Sequence, residues 1–77
     1  MVIWTESARD DLKAIHNYIA LSSVFYAKKT VRDIVHSTEK LSEMPQVGRI
    51  VPETQDPDIR EVFVYSYRII YQIMPEK

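Results

Sequence analysis

The apolar residues of this chain change period once, and that change fixes most of what it can fold into. In the first half they recur every three to four positions. Ala8, Leu12, Ile15 and Ile19 form one such series, and Ala27, Val31, Ile34, Thr38 and Leu41 a second. From Ile59 the period drops to two. Arg60, Val62 and Val64 alternate with Glu61, Phe63 and Tyr65, and Tyr67, Ile69, Tyr71 and Ile73 alternate with Arg68, Ile70, Gln72 and Met74. A period near 3.6 places side chains on one face of a helix, and a period of two places them on one face of a strand. The series therefore predict helices over about 6–21 and 24–43, then two strands joined by a tight turn near Tyr65 and Ser66. That turn lacks the Gly or Asn that usually supplies a positive φ.

Punctuation supports these boundaries. Thr5 reads as the N-cap of the first helix, with Glu6, Asp10 and Asp11 near its positive end. Ser22 and Ser23 interrupt the pattern and offer a second cap. Met44-Pro45 ends the second helix, and Gly48, Pro52 and Pro57 mark a loop that has room for a short irregular strand over 48–52. Residues 1–4 are apolar and β-prone, which predicts a first strand. The expected order is strand, helix, helix, loop, strand, strand: an α+β, two-layer domain. A helical hairpin would cover one face of a small, antiparallel-rich sheet.

With 77 residues, 1–77 is expected to be a single domain. No uninterrupted apolar run exceeds four residues, and a membrane span needs about 20. No basic segment precedes an apolar one at the N-terminus, so the expectation is a cytoplasmic protein without a membrane. The absence of Cys removes disulfides, Cys-ligated zinc and thiol chemistry. His16 and His36 sit beside the helical stripes, too far apart for a His-rich metal site, and no cofactor is expected. Ten Lys and Arg stand against eleven Asp and Glu. Phosphate contacts supply much of the affinity for nucleic acid, so a nucleic-acid role would need a local basic patch. A core this small predicts help from a partner or from a second copy.

Three segments together resemble the RelE/ParE superfamily of toxins from type II toxin–antitoxin modules. They are Trp4-Thr5-Glu6 through Asp11-Leu12, Leu41 through Pro45-Gln46-Val47-Gly48-Arg49-Ile50-Val51-Pro52-Glu53, and Ile59-Arg60-Glu61-Val62-Phe63-Val64 with Tyr67-Arg68-Ile69-Ile70-Tyr71. The similarity spans residue 2 to about residue 74. The pairing of P-x-x-G-R with a later Y-R-I-I-Y carries the specificity. The resemblance implies the fold already read from periodicity and a cognate antitoxin as partner. It also implies a further strand and a basic tail beyond Pro75-Glu76-Lys77, which this sequence does not contain.

The superfamily has two chemistries. ParE-like toxins act by binding, for example to DNA gyrase. RelE-like toxins cleave mRNA on the ribosome, by acid–base catalysis with cationic stabilisation of the phosphate. The ParE-like branch is the leading reading, with enzymatic activity not expected. The RNA-cleaving branch and a non-toxic, antitoxin-binding remnant are the alternatives. If RNA were cleaved, the resemblance would make Arg68 the phosphate-stabilising group and Glu53 the general base. Arg49 and Arg60 would be the phosphate or target contacts. Each has a plainer alternative. Arg68 pairs with Glu61 across the hairpin, Glu53 is an exposed loop carboxylate, Arg49 binds carbonyls where the loop leaves the helix, and Arg60 lies on a solvated face. Tyr67, Ile69, Tyr71 and Ile73 are expected to bind a partner or to line the sheet core. The edge of the last strand is expected to pair with an antitoxin or with a second copy in a homodimer.

Overall fold

A computed structural model describes residues 2–74. It contains two helices, α1 (Glu6–Ala20) and α2 (Val24–Lys40), and three strands, β1 (Arg49–Ile50), β2 (Ile59–Val64) and β3 (Tyr67–Gln72). The strands form one antiparallel sheet in the order β1-β2-β3. The chain divides into two compact units, residues 1–39 and 40–77.

In the first unit, helix ends are set by side-chain caps. Thr5 holds an extended backbone, and its hydroxyl accepts from the Ala8 amide at 3.0 Å. Ser23 repeats the device for α2, accepting from the Tyr26 amide at 3.2 Å. Each cap satisfies one of the amides that a helix start leaves without a partner. Ala27, Ile34 and Thr38 are buried on α2, as their spacing predicts. Thr38 turns its hydroxyl back onto the Val35 carbonyl at 2.7 Å, which removes the cost of burying it. Leu12, Ile15, Ile19 and Val31, expected in the core, are only half-buried, and α1 holds no fully buried residue.

The predicted first strand does not form: residues 2–5 carry no strand, and Met1 lies outside the described residues. Strand propensity records packing and pairing on a pleated surface rather than an intrinsic preference. This stretch finds no ladder partner among the described residues, and Ile3 is 81% exposed. The expected turn at 75–77 also lies outside the described residues. The short strand in the 48–52 segment is present as β1.

In the second unit, β2 and β3 pair from Ile59↔Gln72 to Val64↔Tyr67, leaving Tyr65 and Ser66 as a two-residue loop. Tyr65 takes φ 57°, a conformation that normally falls to Gly or Asn. Opposed residues share a face of the sheet. Arg60, Val62, Val64, Tyr67, Ile69 and Tyr71 make one face and are all half-buried. Glu61, Phe63, Arg68 and Ile70 make the other, joined by Arg49 through its pairing with Glu61.

Gly48 shows why β1 lies where it does. A Cβ there would stand 2.6 Å from the Glu61 carbonyl oxygen and 2.6 Å from the Tyr71 hydroxyl, so only Gly lets the chain come so near. The Tyr71 hydroxyl accepts from the Gly48 amide at 2.9 Å and donates to the Pro45 carbonyl at 2.6 Å. Arg60 holds the same loop from a second direction. Its Nη1 donates to the carbonyls of Gln46 (3.2 Å) and Gly48 (3.0 Å), and its Nε to that of Pro57 (2.9 Å). Arg60 is therefore a half-buried loop clamp and not a solvated side chain, because a planar fork of donors can bridge several carbonyls at once.

Candidate functional site

The face carrying Glu61 presents the one concentration of charged side chains held in fixed geometry among the described residues. Its centre is unusual for a surface: Glu61 is 1% exposed, although Phe63 and Ile70 on the same face are more than half exposed. Two guanidinium groups cover it. Arg49 Nε donates to Glu61 Oε2 at 2.5 Å. Arg68 Nε stands 2.8 Å from Oε1. That second contact is an ion pair without hydrogen-bond alignment, since Oε1 has no hydrogen-bonded partner. A carboxylate removed from water needs such compensation, and here it comes from cations whose outer edges remain solvated.

Arg68 also reaches out of the sheet. Its Nη1 donates to Glu53 Oε2 at 3.0 Å, tying the loop after Val51 to β3. That hydrogen bond is the main reason the Glu53 carboxyl lies below its usual range. A bond to its own backbone and the charges of Arg68 and Arg49 act in the same direction. Reciprocally, Glu53 raises the pKa of Arg68 further. Arg49 extends over Phe63, with its guanidinium carbon 5.9 Å from the ring centroid, a cation–π distance.

The structure thus brings Arg49, Glu53, Glu61 and Arg68 together in one network and puts Arg60 to use elsewhere. The carbonyl-binding part anticipated for Arg49 is carried by Arg60, because Arg49 stands opposite Glu61 in the ladder and turns to it. Tyr67, Ile69 and Tyr71 lie on the opposite, half-buried face, and Ile73 follows β3, half-buried and with its amide bonded to the Asp58 carbonyl. The Tyr71 hydroxyl is already spent on the loop. Sequence reasoning named Glu61 only as a partner for Arg68. Its place between two arginines depends on the β1–β2 register, which a two-residue strand does not advertise.

Chemically, the network is a pair of guanidiniums locked by two carboxylates beside exposed Phe63 and Ile70. It can grip a partner's polar and apolar groups. Glu53 and Arg68 satisfy each other, and neither His16 nor His36 belongs to the second unit. Among the described residues no helix is long and apolar enough to cross a membrane.

No curated protein and no solved structure matches the chain. A family model described as the ParE toxin of type II toxin–antitoxin system, parDE, matches residues 2–77. That match covers both helices, the P-x-x-G-R loop and the hairpin with its arginine network, so the chain belongs to the ParE toxin family of type II toxin–antitoxin systems.

Proposed function

We propose that this protein is a toxin that works by binding, inhibits DNA gyrase in the bacterial or archaeal cytoplasm, and is neutralised by a cognate antitoxin. The target contact is the face formed by Arg49, Phe63, Arg68 and Ile70. One observation carries this reading over RNA cleavage. Arg68 and Glu53, the two groups a cleaving site would need free, are bound to each other at 3.0 Å. A general base works best with a pKa near the operating pH, and Arg68 moves Glu53 away from it. Family membership supports the toxin role and an antitoxin partner. β3 pairs only with β2 among the described residues, so its outer edge is the place for an added antitoxin strand or a second copy.

The purified protein, added to a supercoiling reaction with gyrase and to a translation extract, tests the reading. Loss of supercoiling with intact mRNA is expected, relieved by the antitoxin and weakened in Arg49→Ala. Codon-positioned mRNA cleavage abolished by both Arg68→Ala and Glu53→Gln would move the protein to the RNA-cleaving branch.

A further inference from the structure

The junction between α1 and α2 carries a second surface, remote in sequence from the arginine network. Tyr18, Leu21, Val24, Phe25 and Tyr26 fall within nine residues and are 55–84% exposed. Phe25 and Tyr26 meet edge to face, with centroids 5.3 Å apart. Single exposed apolar residues need no explanation, but a contiguous group does. The helical stripes account for little of it: Tyr18, Leu21, Phe25 and Tyr26 all lie off the series that α1 and α2 turn inward.

Charge makes the same region one-sided. Between Asp11 and Asp33 there is no Asp or Glu, while Lys13, Lys28, Lys29 and Arg32 all fall there. Lys29 is paired with Asp33 at 3.1 Å. Lys13, Lys28 and Arg32 have no ion-pair partner among the described residues. Phe25, Lys28, Lys29 and Arg32 follow one another at helical spacing, so an aromatic ring and three cations share one side of α2. The first turn of α2 holds no acidic side chain to offset the positive end of the helix. In a chain of net charge −1, all eleven acids have been kept out of this segment.

We infer that the α1–α2 junction is a docking surface for an acidic, amphipathic segment of a partner protein, whose apolar side covers Leu21, Val24 and Phe25 and whose carboxylates meet Lys28 and Arg32. Two features favour a protein segment over other polyanions. Nucleic acid rewards aromatic side chains and cations but offers little to Leu21 and Val24. A lipid surface takes an apolar stripe that runs the length of a helix, whereas here the exposed large apolar residues stop at Tyr26 and resume only at Met44.

The proposal deepens the antitoxin reading if the segment belongs to the antitoxin, and its test keeps the two apart. The probes are a synthetic amphipathic helical peptide of leucine and glutamate, a purified cognate antitoxin, anionic phosphatidylglycerol vesicles and duplex DNA. Each is titrated calorimetrically into the wild type, Phe25→Ser and the double charge reversal Lys28→Glu/Arg32→Glu. Circular dichroism checks that the variants, all at exposed positions, stay folded. The expected result is peptide binding that falls about tenfold or more in each variant (a tenfold change is about 1.4 kcal/mol) and weakens with salt. The same loss for the antitoxin would identify the segment's owner. Peptide binding with no antitoxin binding would overturn the antitoxin reading and leave the docking surface standing. Peptide binding that is absent, or unchanged in both variants, would overturn the docking surface. So would vesicles or DNA being the probe whose binding the variants abolish.

Discussion

Replacing Gly48 by Ala adds one methyl group where the structure leaves no room for it. The new Cβ would stand 2.6 Å from the Glu61 carbonyl oxygen and 2.6 Å from the Tyr71 hydroxyl, with the Tyr71 ring carbon at 3.0 Å. The hydroxyl lies at the end of a side chain, but the carbonyl belongs to the backbone of β2 and cannot give without breaking the ladder. β1 is two residues long, so it is the element that moves. Overpacking of this kind costs about 1–3 kcal/mol. Displacing the loop also weakens the two hydrogen bonds of the Tyr71 hydroxyl, at about 1 kcal/mol each. The expected loss is about 3 kcal/mol, a large share of the roughly 4–12 kcal/mol that a chain of this size has in total. Urea denaturation followed by circular dichroism reads it directly. Tyr71→Phe supplies the control, because it removes one of the two close walls. In that background Gly48→Ala should cost about 1 kcal/mol less, a coupling that a double-mutant cycle resolves. A Gly48→Ala protein within about 0.5 kcal/mol of the wild type at an unchanged denaturant slope would refute the close approach. Strict additivity with Tyr71→Phe would refute the hydroxyl's part in it.

Three further outcomes are expected. Glu61→Gln keeps the shape but removes the charge between Arg49 and Arg68; because both cations reach solvent, the loss is about 1–2 kcal/mol by urea unfolding. Glu53 has a folded pKa below its unfolded one, so its contribution is present at neutral pH and is lost as pH falls through the folded value. The gap in urea midpoint between wild type and Glu53→Gln should therefore narrow on acidification, and a gap that widened would contradict the pairing with Arg68. Gln55 holds φ 54°, and Gln55→Gly should raise stability by about 0.5 kcal/mol, left-handed strain relieved less the added entropy of the unfolded chain.

What the sequence disclosed depended on how local the determining physics was. Thr5 and Ser23 cap helices through atoms three residues away, so both starts were legible. The hairpin was legible too, since Ile59 to Gln72 alternates throughout and pairs with itself. Residues 2–5 were misread because their β-prone composition says nothing of whether a partner strand is present. The half-burial of Leu12 and Ile15 is a matter of tertiary packing that periodicity can orient but not measure. In the site, the Arg68–Glu61 pair spans one hairpin and could be foreseen. That Arg60 takes the carbonyl-binding part expected of Arg49, while Arg49 turns to Glu61, could not, because it depends on where a long loop delivers β1.

The two motifs on which the family resemblance was read are joined in one structure. In P-x-x-G-R, the Pro45 carbonyl and the Gly48 amide are the groups that Tyr71 binds, and Arg49 is a cation that Glu61 binds. In Y-R-I-I-Y, Arg68 meets the other oxygen of that carboxylate and Tyr71 supplies the hydroxyl. The Tyr71 hydroxyl thus joins one motif to the other by two hydrogen bonds, and the arginines of both motifs share one carboxylate from outside them, that of Glu61. Such cross-linking holds the loop against the hairpin and does not by itself distinguish a toxin that binds from one that cleaves. On the function proposed above, the choice of target rests on the solvent-facing parts of Arg49 and Arg68 and on exposed Phe63 and Ile70 beside them. Substitution at Phe63 or Ile70 should alter target inhibition while leaving the urea midpoint nearly unchanged, and substitution at Tyr71 should do the reverse, lowering the midpoint before it touches specificity. A Phe63→Ala protein that lost stability as Tyr71→Phe does would show that the exposed face belongs to the scaffold after all.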